Sequence, residues 1–213
     1  MHSRHRHRIV IYTCSAGELI TRASGDVKER MGRPAESGKV RPGAVRPCCL
    51  PAHASAQFCL VDPERTLIGM HLYEGEFKVI AMDAKGVLDK EAVSIRLDEL
   101  QVRHCLCCTS SWMRPSHLFV YQVLDMAFLH GLTVPTLAVL YHDTKGERHV
   151  KTYEVSVQEK DFGSSPWFHN NLDAGASLLI PIPSVRGGVI VVGEQSILFT
   201  NGAYRLECSL INT

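Results

Sequence analysis

The sequence has no apolar run of the about 20 residues a helix needs to cross a bilayer. It has little excess charge of either sign. Its 23 Lys and Arg against 22 Asp and Glu leave +1, so no field over the whole molecule draws it to DNA or to an anionic membrane. It lacks a Gly-x-Ser-x-Gly elbow and a phosphate-binding glycine loop; Gly187-Gly188 stands between strand-like stretches rather than ahead of a helix. No catalytic constellation is visible, and an enzyme is not expected. No stretch carries a convincing 3.6-residue apolar stripe, and only residues 83–98 are ambiguous in this respect. The N-terminal MHSRHRHRIVIYTC is basic, but its apolar part is too short for a signal-peptide core. Aromatics are sparse at 7%. Tyr73, Phe77, Tyr141 and Tyr153 fall on strand faces, where packing outranks base stacking.

What is present is alternation. In PTLAVLYHDTKGERHVKTYEVSV, from Pro135 to Val157, Leu137, Val139 and Tyr141 share one face of a first strand. Val150, Thr152, Glu154 and Ser156 alternate with Lys151, Tyr153, Val155 and Val157 on a second. Period two in residues rich in Val, Tyr and Thr signals half-buried strands. Asp143, Thr144, Lys145 and Gly146 make the turn: Asp bonds its own backbone and Gly accepts positive φ. His142 and His149 flank this turn and read as a solvated hairpin tip.

Further strands are expected at Arg8–Cys14, Leu19–Ala23, Thr66–Leu72, Phe77–Met82, Val93–Leu97, Val123–Leu129, Leu178–Ile182, Gly188–Val192 and Ser196–Thr200. Polar turns separate them, among them Asp83-Ala84-Lys85-Gly86, a bend carried by Gly193, and Asn201-Gly202. Ser24–Gly38 reads as a loop, and Gln158–Leu172 as a polar stretch with Trp167 as its large anchor. Short strands joined by hairpins indicate an all-β sandwich, barrel or propeller, and the lack of a long crossover favours a meander. There is no Trp-Asp signature and no strict repeat, so the pattern alone leaves the sandwich open.

Two segments break the pattern: Val40–Gln57 and Val102–Gln122. Neither contains Asp, Glu or Lys, and together they hold five of the eight cysteines. Each begins with Val and ends with Gln, residues whose codons match the ends of an intron. Excising both joins Lys39 to Phe58 and Gln101 to Val123, and each junction restores a strand-like run. They read as translated introns, with genuine insertions as the alternative. Their cysteines, with His53 and His104, offer one Cys-x-x-Cys pair, Cys105 and Cys108, but the adjacent Cys48-Cys49 is a poor second pair for zinc. The His2, His5, His7 run is read as a basic tail. No metal or cofactor is expected, and the remaining thiols suit a reducing compartment.

Outside those segments, ITRASGDVKERMGRPAESG, VDPERTLIGMHLYEGEFKVIAMD, PTLAVLYHDTKGERHVKTYEVSVQEKDF and PWFHNNLDAGASLLIPIPSVRGGVIVVGEQSILFTNG resemble the family of the large subunit of damage-specific DNA-binding protein. IRLDELQ joined to VLDMAFLHG continues the likeness. That family comprises three-propeller adaptors of cullin-RING ubiquitin ligases and relatives in messenger-RNA cleavage and splicing complexes. The resemblance implies an all-β, incomplete WD40-like β-propeller of about two to three blades, with irregular insertions. Residues 8–204 would be a fragment of the first propeller, 1–7 a disordered basic tail and 205–213 an irregular tail outside the family pattern. An open propeller of this kind is expected to aggregate or express poorly, because nothing closes its strand edges.

The resemblance also implies substrate-receptor docking centred on residues 30–38. Arg30 and Arg33 are the leading contacts and Asn201 is a weaker one. Cullin would be reached only through propellers not represented here. Direct DNA contact would be weak or absent, with no membrane role, and the location nuclear and cytoplasmic. The alternatives are a nucleic-acid-binding propeller module of repair or mRNA-processing complexes, and a non-functional product of a faulty gene reading.

Overall fold

The computed structural model describes residues 7–27, 58–73, 76–89, 92–96, 122–143, 145–183 and 186–210. Among these residues every regular element is a strand. The first two are β1 (His7–Ser15) and β2 (Glu18–Val27), an antiparallel hairpin. A four-stranded antiparallel meander follows: β3 (Phe58–Val61), β4 (Leu67–Tyr73), β5 (Glu76–Ala81) and β6 (Val93–Arg96). A second contains β7 (Gln122–Phe128), β8 (Thr136–His142), β9 (Arg148–Ser156) and β10 (Asp161–Phe162), with β11 (Phe168–Leu172) also paired to β9. The last comprises β12 (Leu178–Pro181), β13 (Val189–Val192), β14 (Ser196–Thr200) and β15 (Arg205–Ser209).

The three meanders stack as propeller blades. The first strand of the second blade, β7, touches the first strands of both neighbours, β3 and β12, while β10 meets β6 at the other edge. Two apolar layers lie between the sheets. Phe77, Val79, Ile95, Met126, Leu137 and Val139 are among those filling the first, between blades one and two. Ala138, Leu140, Val150, Leu179, Val189 and Leu198 help to fill the second, between blades two and three. A smaller layer of Ile68, Met70 and Ile80 lies on the far face of the first blade, with Ile11 of β1 against it. The β8 run Leu137, Ala138, Val139 and Leu140 is therefore wholly buried, alternate residues belonging to different layers. The half-buried reading of this strand is corrected: a middle blade has no solvent face.

The turns follow local chemistry. In both Asp-x-Lys-Gly segments the Asp side chain closes the loop. Asp83 Oδ1 accepts from the N–H of Lys85 (2.9 Å) and Val87 (2.7 Å). Asp143 Oδ1 accepts from those of Lys145 (2.8 Å) and Glu147 (2.9 Å). The stretch 83–98, helically ambiguous in sequence, holds this turn, a bridge between Met82 and Leu88, and β6. Gly193 begins the β13–β14 bend, its N–H donating to Ser196 O (2.9 Å), and a Cβ there would run into the Asp173 carboxylate.

Several boundaries move. Ser24–Val27, read as loop, continues β2 in register with β1. His7, assigned to the tail, begins β1, and Gln122, assigned to the second insert, begins β7 opposite His142. Within the polar stretch 158–172 lie β10 and β11, because β9 is long enough to pair with both along one edge. Residues 205–209, read as an irregular tail, are a strand in register with β14 from Arg205↔Thr200 to Ser209↔Ser196. The five are all exposed, so edge hydrogen bonding rather than burial places them. The remainder of Val40–Gln57 and Val102–Gln122 lies outside the described residues.

Candidate interaction surface

A meander places its first and third turns at one end of the blade and its middle turn at the other. Segments 62–66, 129–135, 157–160, 182–183 with 186–188, and 201–204 therefore gather at one end, and 143 with 145–147, and 193–195, at the opposite end. At the first end a cleft of about 260 Å³ opens between two blades, with Asp62, Glu64, Thr66, Leu129, Leu132 and Pro135 on its walls. Asp62 is buried at its base, its Oδ2 accepting from Thr66 Oγ1 (2.9 Å).

Asn201 lies at this end, in the β14–β15 turn. Its Oδ1 accepts from the N–H of Tyr204 (2.9 Å) and Ala203 (3.2 Å), and its Nδ2 donates to Arg186 O (3.3 Å). The side chain ties Arg186 to the 201–204 turn, so it shapes this surface from within. Tyr204 stands beside it, 72% exposed. Beneath, His169 Nε2 meets Thr200 Oγ1 (2.6 Å), and the Trp167 ring lies against Gly202. Trp167 is anchored by Thr152, whose hydroxyl donates to Trp167 O (2.6 Å). Burial, and then the nearby Arg205 charge, hold the His169 imidazole below its ordinary pKa. Arg30 and Arg33 lie outside the described residues.

Two further carboxylates are taken up by backbone donors. Asp125 receives the N–H of Leu179 from the next blade (2.7 Å, Oδ2) and that of Met126 (2.8 Å, Oδ1). Burial pushes its carboxyl upward, partly offset by those two donors. Asp173 gathers three backbone donors, Gly175 (2.7 Å), Gln195 (2.6 Å) and Ser196 (2.8 Å). Desolvation acts upward on Asp173, but those N–H groups, with Arg148, outweigh it and lower its pKa.

A lowered carboxyl stabilises the fold above its unfolded pKa of about 3.9, and that contribution is lost as pH falls through the folded value. Asp173→Asn should therefore lie below the parent in melting temperature at pH 7, with the gap narrowing below about pH 4. Melts from pH 7 to 3 check this, and a gap independent of pH would contradict it.

Among the described residues, one His/carboxylate group has metal-ligand spacing: Asp143, Glu147 and His149 at the opposite end. The sequence reading passed over it by treating His149 as a solvated tip, whereas His149 is 8% exposed. The available signal was its place within a period-two strand rather than in the turn.

Comparison with known proteins fits this architecture. The family described as RSE1/DDB1/CPSF1 first beta-propeller matches residues 49–212. That span includes 205–212, which the sequence reading had placed outside the family pattern. DNA damage-binding protein 1 of Oryza sativa subsp. japonica is 43% identical over 198 residues, covering 93% of this chain and 14% of that protein. DNA damage-binding protein 1b of Arabidopsis thaliana is 43% identical over 196 residues, covering 92% and 14%. The Solanum lycopersicum DNA damage-binding protein 1 is 42% identical over 200 residues, covering 94% and 15%. The chain thus spans about one-seventh of the length of these relatives. With three stacked antiparallel meanders and a match over most of its length, the chain belongs to the RSE1/DDB1/CPSF1 first beta-propeller family.

Proposed function

We propose that this chain is a protein-interaction scaffold, a propeller segment on which substrate receptors of a cullin-RING ubiquitin ligase dock in response to DNA damage. The observation that carries this reading is its 43% identity to DNA damage-binding protein 1 over nearly the whole chain. The architecture supports it: the blades hold loops at a common end, cross-braced by Asn201, above a rigid apolar interior. No catalytic role is proposed. Receptor contact centres on residues 30–38, with Arg30 and Arg33 pairing with acceptors on the receptor and the Asn201 turn contributing less. Two arginines interspersed with Gly32 and Pro34 suit carboxylates or a docked helix. Cullin contact belongs to propellers beyond this segment, and the working location is the nucleus, with a cytoplasmic pool.

The test uses the chain restored to the length of its relatives, without 40–57 and 102–122. Arg30→Ala with Arg33→Ala should weaken receptor binding by about 2–5 kcal/mol if the pair is buried at the interface, and little at its rim. Receptor pull-down should fall while cullin association survives. Unchanged receptor binding with loss of cullin would overturn the assignment. The relatives' name also invites direct nucleic-acid binding. At a net charge of +1, a gel shift with the 213-residue chain should show no strong, salt-dependent complex.

A further inference from the structure

The tip of the β8–β9 hairpin gathers an imidazole and two carboxylates. His149 Nδ1 lies 3.1 Å from Asn170 Oδ1 on β11. An amide oxygen only accepts, so Nδ1–H donates to it, and in the neutral ring Nε2 carries the lone pair that a metal ion takes. That lone pair faces Asp143 Oδ2 at 3.6 Å, beyond hydrogen-bond reach. Asp143 Oδ1 is engaged by the turn, which leaves Oδ2 free to point at the ring. Glu147 offers a third oxygen, and the ligand atoms of all three residues lie within 4.8 Å of one another.

We propose that Asp143, Glu147 and His149 bind a divalent transition ion of the zinc class. Ligand atoms at about 2.0–2.2 Å from a tetrahedral ion stand about 3.4 Å apart; His149 Nε2 and Asp143 Oδ2 are 3.6 Å apart, Glu147 lies within 4.8 Å of both, and a water would complete the four. The imidazole nitrogen selects zinc, cobalt, nickel or copper over magnesium and calcium. Asn170 acts as a positioning residue, fixing the tautomer in the way metal-bound histidines generally require. The Asp83 turn is the internal control. It has the same Asp-x-Lys-Gly pattern and the same backbone bonds, but Val87 and Asp89 stand where the other turn has Glu147 and His149, so it offers no imidazole. Bound metal would fasten the hairpin tip to β11 through His149.

The His2, His5, His7 run and the cysteines are other zinc-capable side chains, so the readout must resolve single rings. The chelator-treated 213-residue chain, labelled with ¹⁵N-histidine, is titrated with Zn²⁺ and separately with Mg²⁺. Zn²⁺ should move the His149 Nε2 resonance while Nδ1 stays protonated, and Mg²⁺ should not. Glu147→Gln, at an exposed position, should weaken the response at His149 at least about tenfold, and Asn170→Ala by about 10–100-fold. The proposal is overturned if His149 titrates only with protons and ignores Zn²⁺. It is equally overturned if the response survives Glu147→Gln and Asn170→Ala undiminished.

Discussion

Phe77→Ala should cost about 3–5 kcal/mol, enough to unfold much of a marginally stable population. Phe77 is 0% exposed and sits in the layer between the first two blades. Its ring lies 5.9 Å from that of Phe162 on the neighbouring blade. A Cβ on Gly69 would stand 2.5 Å from Phe77 Cζ and 3.0 Å from Phe128 Cε2, so the glycine makes room for this ring. Removing the ring leaves a cavity walled by two sheets whose backbone hydrogen bonds resist collapse, hence a value near the top of the range. Urea unfolding measures it. Phe168→Ala, at a side chain 59% exposed, should stay within about 0.5 kcal/mol of the parent. Equal losses from the two changes would mean that the blade interface is not the core.

Gly188→Ala should cost about 2–5 kcal/mol, by two additive routes. Gly188 has φ +88, where an L side chain is strained, and a Cβ there would collide with Thr200 O and Asn201. The second obstacle is backbone, which cannot swing aside. Gly146→Ala separates the two effects: its φ is +83, but nothing lies within 4 Å of an added Cβ. It should show the strain alone, about 1–2 kcal/mol. If the two substitutions cost the same, the close approach of the β12–β13 turn to β14 contributes nothing. Because the Gly188 turn abuts Asn201, the substitution should also disturb the 201–204 turn.

Much of the fold was legible because β-structure is written locally. Alternation marked β4, β5, β8, β9, β13 and β14, and Asp-x-Lys-Gly marked two turns whose hydrogen bonds are the same. The family resemblance rested on long runs of sequence, and the family match supports it while extending it through residue 212. The candidate site was far less legible. Arg30 and Arg33 rest on the resemblance, and Asn201 proved to brace two turns from within. Asp125, Asp173 and the His149–Asn170 pair carried no local signal, since each meets its partner from a distant part of the chain.

By itself the sequence determined the strands with strong alternation, the turn chemistry and the near-neutral charge, since these depend on residues a few positions apart. Tertiary structure decided the rest. Stacking buried both faces of β8, which alternation alone reads as one buried face. The free edge of β9 recruited β10 and β11, and that of β14 recruited β15, through backbone groups every residue carries and no side-chain pattern announces. It also brought His149 against Asn170 and the Asp143 carboxylate. Such meetings depend on how separate strands are placed in space, and period-two patterning sets only which way each side chain points along its own strand.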